Sequence, residues 1–126
     1  MKIITMKHIL SILILLGFMS SVSAGVGDVY YCQSTKVIVI TPDKVEEFAG
    51  EQFTFKRNPR ELVFGDGGYF NKLIQPLTHS VNEWFRGNEE LGSGYIEYRD
   101  GKFGHASWNF IEDRTTVIMA NCNTFE

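Results

Sequence analysis

Cys32 and Cys122 are the only cysteines in the chain, and 90 positions separate them, near the two ends of the segment that lies beyond a leader-like start. Residues 1–24 carry Lys2, Lys7 and His8, then an apolar stretch from Ile9 to Met19, then the small residues Val22-Ser23-Ala24, the layout of a secretory signal peptide. Export places the remaining 25–126 in a periplasmic or extracellular, oxidising setting, where two thiols are most simply one structural disulfide. A bridge of that reach requires the two cysteines to lie with Cα atoms within about 7 Å. It therefore brings the first and last parts of the domain together.

The apolar stretch is about half of the roughly 20 residues that a membrane-spanning helix needs, so no membrane span is expected after cleavage. Gly25 follows Ala24 where a lipoprotein would present a cysteine. The remaining 102 residues fit a single domain. They hold ten lysines and arginines against fifteen acids, a net charge of −5. Nucleic acid is disfavoured as a partner, because affinity for phosphates rests on cationic side chains.

After Gly25 the pattern is β. Val29–Cys32 and the β-branched run Val37-Ile38-Val39-Ile40 come first, the latter apolar on both faces and so suited to a central or doubly covered strand. Residues 42–48 are suited to one short helical turn, with Thr41 as cap and Pro42 at the first helical position. Phe53 and Phe55 alternate with polar neighbours, Asp66-Gly67-Gly68 reads as a tight turn, and 71–88 read as strand and loop because Pro76 and poor helix formers interrupt the helical spacing. Asp100-Gly101 between strand-like runs predicts a type I′ hairpin, and Thr115–Cys122 a last strand. Seven to eight short strands with frequent turns predict an all-β antiparallel barrel or sandwich. Strand parity puts Tyr30 with Cys32 on one face of the first strand, and Ile118, Ala120 and Cys122 on one face of the last, so both cysteines ride on apolar faces and their disulfide would link the first and last strands. Nine Phe, five Tyr and two Trp remain after cleavage, enough large side chains to fill the interior of so small a barrel.

Catalytic chemistry finds little support in the residue pattern. His79 and His105 are the only histidines beyond the leader, too few for a three-histidine zinc site, and no metal or cofactor is expected. Gly92-Ser93-Gly94 lacks the glycine two places before the serine that a nucleophile elbow needs, Leu91 standing there. His105 and Ser107 share a strand face, a pairing that amounts to catalysis only if an acid joins them in a cleft. The acid pairs Glu46-Glu47 and Glu89-Glu90 point their carboxylates in different directions in any regular structure.

Binding remains. The stretch from Glu83 to Gly94 mixes aromatic and charged residues outside a clear strand, and Trp and Arg dominate the energetic centres of interfaces. Trp84, Phe85, Arg86, Glu89, Glu90, Ser93 and Tyr95 are the candidate contacts for a protein or envelope component. A lipocalin-like carrier of a small apolar ligand is the alternative, with Phe53, Phe55, Phe64 and Tyr98 lining its cavity. Tyr31-Cys32, Ser93-Gly94 and Cys122 also occur in an order that resembles the periplasmic inhibitors of C-type lysozyme, small one-disulfide β-barrels with a Ser-Gly then Tyr motif. Glu97 stands where that motif has its tyrosine, and Tyr98 comes one place late, on the other face of a strand. The resemblance covers these residues only. It does not place the chain in that family, but it implies a further alternative, inhibition of a cell-wall hydrolase such as lysozyme.

Overall fold

A computed structural model describes residues 25–88 and 93–124, so the expected signal segment and the Glu89-Glu90 pair lie outside the described residues. Those residues form ten antiparallel strands and no helix. They are β1 (Val29–Ile40), β2 (Val45–Phe48), β3 (Gln52–Arg57), β4 (Glu61–Phe64), β5 (Ile74–Pro76), β6 (His79–Val81), β7 (Trp84–Asn88), β8 (Tyr95–Arg99), β9 (Lys102–Asn109) and β10 (Arg114–Thr124). One sheet in the order β5-β4-β3-β1-β10-β9-β8-β7-β6 holds them, with β2 lying beside the far half of β1.

The sheet coils until its two outermost strands are consecutive in the chain. Between β5 and β6 the Leu77 amide donates to the Arg60 carbonyl at 2.8 Å and the Thr78 amide to the Arg86 carbonyl at 2.9 Å, so successive N–H groups bond to opposite edges. Here β5 and β7 come so close that a Cβ on Gly87 would sit 2.0 Å from the Pro76 carbonyl oxygen. Only glycine permits that approach.

The disulfide is where parity puts it. Cys32 and Cys122 face each other in register on the paired strands β1 and β10, with Cα atoms 4.0 Å apart and both side chains buried. Asp100 and Gly101 have φ of 47° and 90°, as the type I′ hairpin requires, and Gly67 and Gly68 are likewise positive. Residues 71–88 contain three short strands, consistent with the strand and loop expectation.

Two expectations are corrected. The short helical turn over 42–48 is instead the turn and second strand of a hairpin, closed by the Thr41 amide on the Lys44 carbonyl, because Val45–Phe48 gain a full ladder against Val37–Ile40. That ladder, with β5 and β6, raises the strand count to ten. The first two runs are also one strand, with a bulge between Ser34 and Lys36. The inserted residue reverses parity: Tyr30, Cys32 and Ser34 face inward before it, and Val37 packs against the core after it. The β-branched run is central, with β2 on one edge and β10 on the other, yet it is not covered on both faces, since Ile40 is 40% exposed.

The interior is occupied by aromatic rings. Phe53, Phe55, Phe64, Phe70 and Phe103 pack with centroids 4.7 to 6.3 Å apart, and Tyr30 stacks on Phe55 at 4.9 Å. At one end this core meets a buried polar cluster. Arg57, 2% exposed, lies over the Phe85 ring at 4.4 Å and donates to Ser80 Oγ at 2.9 Å, to the Asn82 carbonyl and to the Tyr30 hydroxyl at 3.4 Å. Its charge is met by Glu83 at 3.9 Å, which also accepts from the Tyr30 and Tyr98 hydroxyls at 3.3 and 3.1 Å. Burial and the Glu83 charge both hold Tyr98 well above the ordinary phenol range.

Candidate functional site

At the other end, β9 and β10 run beyond the closed part of the barrel beside the β1–β2 hairpin. Trp108 pairs with Thr115, Thr115 with Ile40, and Ile40 with Val45, so the register places these four side chains in one row on the outer face. Past that row the β9–β10 turn carries Phe110 and Ile111. Trp108, Phe110 and Ile111 are 50%, 70% and 84% exposed, and Val45 is 67% exposed. The turn is held in shape: Asn109 Oδ1 accepts the amides of Ile111 and Glu112 at 3.0 and 3.1 Å, and Asp113 adopts φ of 51°. Trp108 Nε1 reaches Asp113 Oδ1 at 3.5 Å and its ring lies 6.0 Å from that of Phe110. A water-exposed apolar cluster on an ordered turn marks an interaction site more readily than scattered surface apolars do.

The described residues expected to contact a partner separate into four locations. Ser93 belongs to the hairpin end, its hydroxyl donating to the Trp108 carbonyl. Tyr95, 38% exposed, lies one row away, facing outward opposite Ala106. Trp84 and Arg86 lie farther along the outer face, where the half-buried indole donates to Glu97 Oε2 at 2.8 Å and carries the Arg86 and Arg99 guanidiniums at 5.0 and 4.5 Å from its ring. The Tyr95 hydroxyl donates to Glu97 Oε1 at 2.6 Å, and these two hydrogen bonds hold the Glu97 carboxyl below its usual range. Phe85, expected among the contacts, is instead fully buried against Tyr98 and Tyr30 inside the barrel, so its side chain presents no outer surface. Glu89 and Glu90 lie outside the described residues.

The His105 and Ser107 pair shares the inner face of β9, but the two do not bond to each other. The Tyr69 hydroxyl stands between them, 3.4 Å from His105 Nε2 and 3.1 Å from Ser107 Oγ. No acid hydrogen-bonds to His105 among the described residues. Burial pushes His105 down to about 4, so the imidazole is neutral at ordinary pH. Among the described residues no three His, Cys, Asp or Glu side chains gather as metal ligands would.

Sequence reasoning missed Trp108, Phe110 and Ile111. The available signal was a break in alternation: three large apolar residues within four positions, followed by Glu112 and Asp113 in a turn-forming stretch. Compared with protein-family models, curated proteins and solved structures, the chain matches none.

Proposed function

We propose that this chain is an exported, non-catalytic β domain that docks a protein or another envelope component through the hairpin end. The observation that carries the reading is the group of Trp108, Phe110 and Ile111, raised on an ordered turn and flanked by Ile40, Val45 and Ser93. Ordering the turn before contact lowers the entropic cost of binding. Large apolar side chains held in water cost solubility, and a docked partner removes that cost. The aromatic interior favours this over a carrier, because Phe53, Phe55, Phe64 and Tyr98 occupy the space that an apolar ligand would need.

The second reading, inhibition of a cell-wall hydrolase such as lysozyme, is favoured by one feature. Ser93 of the Ser-Gly pair lies against the exposed Trp108 turn, on a barrel-like sheet in which one disulfide joins the first and last strands of the chain. Against it, Glu97 faces outward and Tyr98 inward, so no tyrosine stands at the motif's place. The test is affinity capture from periplasm or culture fluid with the disulfide-bonded protein and with a Phe110→Ser/Ile111→Ser variant. A protein captured by the first and lost by the second is expected, and recovery of a small lipid in place of a protein overturns the reading.

A further inference from the structure

The β-branched run Val37-Ile38-Val39-Ile40 is apolar on both faces, yet only its inner face packs against the core of the chain. Its outward residues have apolar neighbours. Ile38 and Ile40 on β1, Val117 and Met119 on β10, and Ala106 and Trp108 on β9 all point outward and lie in three consecutive rows of the pairing register. Solvated positions of an antiparallel sheet ordinarily alternate to polar residues. Here three adjacent strands carry two outward apolar residues each, with Thr115 the one hydroxyl among them, and Val45 and Tyr95 extend the face at its margins. The next outward row, Gln33, Asn121, Lys102 and Arg99, is polar.

We infer that a second copy of this chain covers this face, in a two-fold dimer packed sheet on sheet. A two-fold contact requires every projection on the face to have a hollow at the same distance on the other side of the axis. On β9, Ala106 sits midway between Trp108 and Gly104, two residues or about 7 Å from each. Trp108 is half exposed, whereas a Cβ on Gly104 would meet nothing within 4 Å. With the axis crossing the strands over Ala106, each indole lies above the partner's Gly104 and the small Ala106 side chains meet at the centre. An unrelated protein would need no such spacing. Charge is confined to the margins and is matched there: Glu47 and Lys36 pair at 3.7 Å on one side, and on the other Glu97 accepts from Trp84 and Tyr95 and stands opposite Arg86. Two copies of an acidic domain can therefore meet here without like charges at the centre. The exposed parts of Ile40, Val45, Tyr95, Ala106, Trp108 and Met119 come to about 600 Å² per copy, or about 1,200 Å² for a pair, the lower end of specific interfaces. The dimer is accordingly weak and concentration-dependent. It shares Trp108 with the hairpin end but not Phe110 and Ile111, which lie past the three rows.

The test is sedimentation equilibrium of the disulfide-bonded protein over about 1 μM to 1 mM, a span that brackets weak and standard interfaces. A mass that rises from one copy to two and stops there is expected. Gly104→Lys fills the hollow and should weaken the dimer tenfold or more. The position has open space and no positive φ, and its cross-strand neighbour is Glu97, so the melting temperature should hold while the dimer is lost. Asn123→Lys, an equal charge on the outer face of β10 away from the three rows, should dimerise as the parent does, as should Phe110→Ser/Ile111→Ser. A single-copy mass throughout, growth past two copies, or a dimer indifferent to Gly104→Lys overturns the inference. So does a dimer lost only in Phe110→Ser/Ile111→Ser, which would put the contact at the tip. Affinity capture with Gly104→Lys keeps the two readings apart: a single-copy parent that still captures a protein through the tip overturns the dimer alone, and a dimer lost in Gly104→Lys while the tip captures nothing supports the dimer and overturns the docking reading alone.

Discussion

At one end of the barrel Arg57, Glu83, Tyr30 and Tyr98 turn their polar atoms inward and toward one another, whereas at the other Trp108, Phe110 and Ile111 turn large apolar groups out into water. The two ends are the two ends of β1, with Tyr30 in the first and Ile40 in the second. Side chains at the first end are fixed by partners within the chain, and changing them should be read in stability. Those of the second have few partners within the chain, and changing them should be read in binding. His105 lies between, on the inner face, with a Tyr69 hydroxyl at 3.4 Å as its side-chain neighbour.

The largest expected effect belongs to the bridge that joins the strands common to both ends. Replacing Cys32 and Cys122 together by Ala removes a link across 90 residues and should lower stability by about 4 to 5 kcal/mol, read as a large fall in the melting temperature. An unchanged melting temperature would show that the thiols are unpaired in the native protein. Next comes Arg57→Met, which leaves Glu83 and two tyrosine hydroxyls facing an apolar group. A loss of about 3 kcal/mol in denaturant unfolding is expected, with part of it restored by adding Glu83→Gln. If Arg57→Met is neutral, the first end is not held by its polar cluster.

His105 gives an effect of similar size that depends on pH. Burial lowers the folded group from 6.5 to about 4, so between those values the unfolded chain binds a proton that the folded chain does not. Stability is then fully present above pH 6.5, declines as the pH falls, and levels off near 4, a total of about 3 kcal/mol. His105→Gln should flatten that part of the stability profile, and a slope that persists unaltered in the variant would assign it to other groups. The smallest stability effect is expected of Phe110→Ser/Ile111→Ser, within about 0.5 kcal/mol of the parent. A large destabilisation there would mean that the hairpin tip is structural, and the contrast between the ends would fail.

The elements legible in the sequence are those with local causes. Asp100-Gly101 supplies a turn that tolerates positive φ, Phe53 and Phe55 alternate because one face is buried, and the parity of Cys32 and Cys122 brings β1 beside β10. What was not legible depends on single insertions or distant partners. One extra residue between Ser34 and Lys36 reverses every later side chain of β1, and nothing in Ser34-Thr35-Lys36 signals it. The Arg57 to Glu83 pairing and the closure through Leu77 and Thr78 join segments that only the folded barrel makes neighbours. The β1–β2 hairpin was hidden by a proline that serves a turn as readily as a helix start. Of the candidate contacts, composition alone led to Trp84 and Arg86, but it does not distinguish a residue facing out from its neighbour Phe85 facing in.

Amide hydrogen exchange of the disulfide-bonded protein, alone and with the partner recovered by capture, tests the contrast most directly. Protection gained at 93–95 and 108–114, with the amides around Arg57, Asn82 and Glu83 unchanged, is the predicted outcome. Protection gained around Arg57, Asn82 and Glu83 while 108–114 exchange as before would place docking at the wrong end of the barrel and contradict it.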